Sequence, residues 1–249
     1  MRILILALLY SAIAGIGVLV SSSIKTHFVE NDDEWIYIFD GETFNGWHQY
    51  NSDSVGSQWS IENGELVFTD NDERLQDLLT DKEYTNFELS IEWNISKGGN
   101  SGIFYGVKEL PEFKDAHRTG PEIQVLDNMN FNTSTDLHKA PSLYDLVSSN
   151  SKELNVKPHG EWNHLILKID HKNNLGTVKI NDQFAFSYPL SGPEWDDLVS
   201  KSKFNSRGYT IKNKKDKRIL VFGAYKTGKI ALQDHGSDVR FRNIKIREL

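Results

Sequence analysis

Cysteine is absent from the 249 residues. That excludes disulfide staples, thiolate nucleophiles, thiolate metal sites and a lipid-modified N-terminal cysteine. Long basic blocks are missing too. The densest run of cations is Lys212 to Arg218, and the net charge is −7, so nothing in the charge pattern favours nucleic acid. There is no Gly-rich dinucleotide fingerprint, no P-loop and no Gly-x-Ser-x-Gly elbow. No cofactor is therefore expected. HExxH and EF-hand spacings are also lacking, which leaves any metal unknown. Internal repeats and low-complexity tracts do not occur.

Long apolar runs are scarce, with one clear case from Ile3 to Val20. Arg2 precedes it, and Ser21, Ser22 and Ser23 follow. This order predicts a signal peptide over residues 1–23, with an uncleaved membrane anchor as the second reading. An exported protein, periplasmic or extracellular and possibly membrane-attached at its N-terminus, is the corresponding expectation. The remainder, residues 31–249, is long enough for one domain with a sizeable core.

That remainder alternates with period two. Phe87, Leu89, Ile91 and Trp93 interleave with Glu88, Ser90, Glu92 and Asn94. Strands are predicted at 35–39, 58–61, 65–68, 87–94, 102–107, 122–126, 162–170, 177–181, 183–188, 219–222, 229–233 and 239–246. Asn63-Gly64 marks a hairpin. The apolar phase slips between Phe241 and Ile244, predicting a bulge near Asn243. One helix is predicted from Pro193 to Ser202. Residues 108–119 read as a polar excursion, and 128–158 as a long irregular segment of the kind that carries function. The class is all-β, with antiparallel sheets in a sandwich or jelly roll.

The segment Gly120-Pro121-Glu122-Ile123-Gln124-Val125-Leu126-Asp127 holds the main site expectation. Side chains two apart on a strand share a face, so Glu122 and Gln124 point together. A carboxylate beside an amide can move a proton while the amide holds an oxygen. Glu92, on the polar face of its strand, is the second carboxylate candidate. His235 can serve as acid, base or metal ligand. Gln233 shares its face if that strand continues, with Asp234 then pointing away. Asn100, Asp127 and Tyr144 are candidate substrate contacts, Tyr144 through stacking. Plain structural roles exist for each: a solvated sheet face, a cross-strand amide pair, a turn cap.

Eight segments in order resemble one family. They run from Phe39-Asp40-Gly41-Glu42-Thr43-Phe44-Asn45-Gly46-Trp47, through Phe87 to Trp93, Asn100 to Phe104, the Glu122 strand, Leu143-Tyr144-Asp145-Leu146 and Gly160-Glu161-Trp162-Asn163. Ile230 to Gly236 and Phe241-Arg242-Asn243-Ile244 close the series. The family is that of the 3-keto-disaccharide hydrolases, and the resemblance covers roughly residues 34 to 249. It implies a concanavalin A-like jelly roll with a saccharide groove, and cleavage of 3-keto-glycosides by exported bacterial proteins. Pro141 departs from the glycine expected there, so the groove rim and substrate are expected to differ. Under this resemblance Glu122, His235 and Glu92 are the catalytic candidates, with Gln124, Asn100, Asp127, Tyr144 and Gln233 binding a saccharide substrate. Two other readings stand beside it. One is a non-catalytic, lectin-like carbohydrate-binding module. The other is an ordinary glycanase, which the interposed Gln124 disfavours.

Overall fold

The computed structural model describes residues 34–71, 76–149 and 152–249, and the expected leader at 1–23 lies outside them. Among the described residues no helix is long and apolar enough to cross a membrane.

Residues Asp32–Leu249 form one compact unit built mostly of strands. The first seven are β1 (Ile36–Tyr37), β2 (Trp47–Gln49), β3 (Trp59–Glu62), β4 (Glu65–Phe68), β5 (Leu78–Thr80), β6 (Phe87–Ile95) and β7 (Asn100–Val107). They are followed by β8 (Glu122–Leu126), β9 (Asn163–Asp170), β10 (Leu175–Ile180), β11 (Gln183–Tyr188), the helix α1 (Pro193–Ser200), β12 (Thr210–Lys212), β13 (Arg218–Leu220), β14 (Lys229–Leu232) and β15 (Val239–Glu248). One sheet has the order β11-β10-β9-β6-β15-β4-β3, with β1 also on β15; the second runs β2-β5-β14-β7-β8. All the pairs are antiparallel. The chain thus forms the expected all-β jelly-roll sandwich.

The period-two pattern accounts for the packing. Phe87, Leu89, Ile91 and Trp93 of β6 join Ile103, Ile123, Val125 and Leu232 of the other sheet in one buried cluster. Both faces of the sandwich interior are therefore supplied by alternate residues. The Asn63-Gly64 turn takes positive φ at both residues, 53° and 80°, which suits the β3–β4 hairpin. The expected bulge is present: the β15–β6 register shifts between Arg242 and Lys245, and Asn243 has φ 52°. The helix begins with Pro193 and carries Glu194 and Asp196 in its first turn.

Two strands were not expected, and two expectations are corrected. Strands β2 and β5 are only 3 residues each, too short to show alternation. The strand expected at 219–222 is not part of the sandwich; Arg218–Leu220 pairs only with Thr210–Lys212, as an exposed ribbon. The strand expected to reach Gln233 ends at Leu232, so alternation does not govern Gln233, Asp234 and His235. The long segment after β8 is also less irregular than its composition suggests. Leu143 bridges to Ile123, the Gln124 amide donates to the Ser142 carbonyl at 3.0 Å, and the Tyr144 amide donates to the Glu122 carbonyl at 2.9 Å. The free edge of β8 is thereby covered.

Candidate active site

The polar face of β7 and β8 opens into a cavity of about 270 Å³. Asn100, Glu122, Gln124, Tyr144, Gln233 and His235 line it, together with Asp77, Asp115, His117, Lys203, Phe204 and Asp234. The volume lies just under the usual range for drug-sized ligands, so it suits a single sugar ring better than an oligosaccharide.

Glu122 is the central group. It is 7% exposed, and no described residue hydrogen-bonds its carboxyl. Burial pushes the carboxyl up to about 8, against the pull of the Lys203 ammonium and with a smaller push from Asp77. Its side chain lies across the backbone of the neighbouring strand at Gly102, the cross-strand partner of Gln124. A Cβ at that position would sit 2.2 Å from Glu122 Oε1 and 2.7 Å from Cδ and Cγ, so only glycine leaves the space.

Beside Glu122, the Gln124 Nε2 donates to Asn100 Oδ1 at 3.0 Å, and Asn100 Nδ2 lies 3.4 Å from both ring nitrogens of the exposed His235. This order leaves Gln124 Oε1 buried without a protein partner, and Gln233 Oε1 is in the same condition. Two orphaned amide oxygens lining one pocket are acceptors waiting for hydroxyl donors. Gln233 itself is fixed to β7: its amide donates to the Gly102 carbonyl at 2.9 Å, and its carbonyl accepts from Ser101 Oγ at 2.9 Å.

Asp77 ties two loops to the sheet. Its Oδ2 accepts the Ala116 amide at 2.8 Å, and its Oδ1 accepts the Asp234 amide at 3.1 Å. Full burial raises its carboxyl to about 7 in spite of those bonds. Asp234 is raised to about 6, again chiefly by burial, and accepts the Gln76 amide at 2.9 Å. The loop clamped at Ala116 carries His117. Burial, with the Arg118 charge beside it, lowers that imidazole to about 4, so it is neutral at pH 7.

Lys203 closes the cavity. Its ammonium sits 4.2 Å from the centroid of the Tyr144 ring, whose stacking partner is His138 at 4.5 Å. The lysine is lowered by desolvation, while Glu122 and Asp145 pull it back up. Two groups this close cannot share one face of the ring. The ring faces expected from the sequence to stack on a sugar are thus occupied by Lys203 and His138. His138 is held by Asp145 at 2.9 Å and does not line the cavity.

Two expected residues are not brought here. Glu92 belongs to β6, in the other sheet. It accepts from Arg242 Nε and Asn243 Nδ2 at 2.8 Å each, and although burial opposes it, these donors hold the carboxyl below its ordinary value. Glu92 thus anchors the β15 bulge instead of sharing the groove with Glu122. Asp127 caps the turn after β8. Its carboxylate accepts from the amides of Gly98 and Met129 and from Asn130 Nδ2, at 2.9, 3.1 and 2.7 Å. Asp234, expected to point away, lines the pocket because the strand has already ended. Among the residues the sequence reading passed over, Asp115 and His117 lie in the polar excursion after β7, whose twelve-residue length was the available signal. Asp77 and Lys203 had no comparable signal, since each becomes a site residue only through the fold. Among the described residues no group of three or more metal-ligating side chains is gathered.

A buried carboxyl with no partner, a nearby ammonium, a neutral imidazole and two free amide acceptors can together move a proton at carbon, steady a developing oxyanion and hold hydroxyls. Comparison with known proteins identifies the family. A 3-keto-disaccharide hydrolase of Bacteroides thetaiotaomicron is 37% identical over 244 residues, spanning 87% of this chain and 79% of its own. A crystal structure of a candidate glycosyl hydrolase from Parabacteroides distasonis superposes with a TM-score of 0.74 at 29% identity, covering 86% of this chain and 94% of that one. A second from the same organism gives 0.63 at 25% identity, over 87% and 100%. The model of one family matches residues 34–247, nearly all of the folded unit. By that match and by the curated relative, the chain belongs to the 3-keto-alpha-glucoside-1,2-lyase-like domain family.

Proposed function

We propose that this protein cleaves 3-keto-glycosides, 3-keto-disaccharides among them, by eliminating across C1 and C2 of the oxidised sugar and then adding water. The observation that carries the reading is the Glu122 carboxyl: buried, raised to about 8, without a hydrogen-bond partner among the described residues and facing the cavity beside Lys203. The family's own description as lyase-like, and the substrate named for the Bacteroides relative, support it.

A ketone at C3 acidifies the hydrogen on C2. Glu122 takes that proton, and the electron pair forms an enolate whose oxygen is stabilised by the Lys203 ammonium. The enolate collapses to an enone, expelling the substituent on C1, which leaves with a proton from His235. Water adds at C1 and a proton returns to C2, so the net reaction is hydrolysis. Gln124 and Gln233 accept from sugar hydroxyls through their unpartnered oxygens. No pair of carboxylates at fixed separation is needed, because no oxocarbenium ion forms. Export follows from the same reading, through the N-terminal run of residues 1–23.

The test uses the purified domain with 3-keto-glucosides and their unoxidised parents, following release of free sugar. Wild type cleaves only the keto compounds, and Glu122→Gln lowers turnover about 10²- to 10⁴-fold, the range for losing a general base. His235→Ala gives a smaller loss. If the keto panel stays intact while saccharides still bind, the protein is a carbohydrate-binding module instead.

A further inference from the structure

A second groove, of about 790 Å³, lies against the first cavity. Asp115 lines both, and the short turn Ala116–Arg118 forms the ridge between them. His117 faces the cavity from that ridge, while Arg118 faces the groove. Tyr209 packs on both sides of it, 6.0 Å from the His117 ring and 5.3 Å from the Arg118 guanidinium. The groove's far wall is the ribbon β12–β13.

Its charge is the reverse of the molecule's. The chain carries −7 overall, yet Lys114, Arg118, Arg207, Lys212 and Arg218 line this groove against only Glu112 and Asp115. Arg118 is 3.9 Å from Asp115 and Lys212 is 2.6 Å from Asp216. Arg218 donates to Thr210 Oγ1 at 3.0 Å, a neutral partner. Among the described residues, Lys114, Arg207 and Arg218 have no carboxylate at ion-pair distance. Three free cations converge on a groove that opens beside a cavity sized for one sugar ring.

We propose that this groove receives the leaving part of the substrate and selects an anionic one, so that the enzyme prefers 3-keto-glycosides whose C1 substituent bears a carboxylate or sulfate group. This rests on the catalytic reading above. An oxyanion is favoured because a planar guanidinium pair recognises one through charge-assisted bonds. An extended polyanion is disfavoured by the net negative charge of the rest of the chain. Arg207 and Arg218 are exposed and outside the sandwich, so replacing them leaves the core intact.

The experiment compares kcat/KM for three 3-keto-glucosides, whose leaving groups are glucose, glucuronate and glucose 6-sulfate. The anionic substrates are expected to be about tenfold better in wild type, corresponding to roughly 1.4 kcal/mol. That ratio falls to about one in Arg207→Ala/Arg218→Ala, and it shrinks with added salt in the unmodified protein, a readout that needs no variant. The two anionic arms tell carboxylate from sulfate recognition. A ratio near one in wild type, or one that survives both the double substitution and high salt, overturns the inference while neutral turnover still upholds the catalytic reading. Absence of turnover on all three overturns the catalytic reading itself.

Discussion

Glu122 and Gly102 form a steric pair. The carboxyl rests where a side chain on the adjacent strand would otherwise stand, so a single methyl group tests the arrangement. Gly102→Ala places its Cβ 2.2 Å from Glu122 Oε1 and displaces the whole carboxyl arm. A misplacement of about 1 Å at a reacting group costs on the order of 10²-fold. That loss in kcat is expected with little change in KM; unaltered turnover would show that Glu122's position does not matter. The pH profile asks which way the proton moves. As a base Glu122 must be ionised, so kcat/KM climbs with pH and levels off above about 8. A profile that falls through that range would assign Glu122 as the acid.

Among the elements, the loops matter more than the strands. β7 and β8 present Asn100, Glu122 and Gln124, but the cavity is closed by the excursion after β7, the turn after β14 and the segment around Lys203. Asp77, one residue before β5, holds the first two through the Ala116 and Asp234 amides. Asp77→Ala removes the acceptor of two buried donors, each costing roughly 1–3 kcal/mol when left unmade. The expected result is a lower urea midpoint at pH 5.5 and faster proteolysis within residues 108–119. An unchanged midpoint would show that the loops hold without the clamp. Glu92 shows why reading one strand's polar face is insufficient. Its face alternates as that of Glu122 does, yet β6 and β8 belong to different sheets.

For the whole molecule, three buried carboxyls set the dependence of stability on pH. Glu122, Asp77 and Asp234 are raised to about 8, 7 and 6. Each folded value lies above the unfolded one; His117, lowered to about 4, acts in the opposite sense below about pH 6.5 but is outweighed, so between roughly pH 4 and pH 8 the native state binds more protons than the unfolded chain. Stability is then greatest at the acid end of that window and declines as pH rises through it. The melting temperature is expected to fall by several degrees from pH 5 to pH 8, at roughly 2–4 °C per kcal/mol for a domain of this size. Glu122→Gln should flatten the decline. A melting temperature that rises over the same interval would mean that the three groups titrate normally. A pocket that stores uncharged acids thus gives up stability at neutral pH.

Much of this protein was readable along the chain, because period-two alternation is a local property. It placed the long strands, the Asn63-Gly64 turn, the bulge at Asn243 and the helix at Pro193, and with them the all-β class. It also paired Glu122 with Gln124, since both belong to one strand. Ordered motifs then pointed to the family. Residues separated by many strands were beyond its reach. The meeting of Glu122 with Gly102, Asp77 and Lys203, and the turning of Glu92 towards Arg242, depend on which strands lie side by side and in which sheet. That order is set by packing two sheets over one core, a long-range property that no stretch of sequence carries alone.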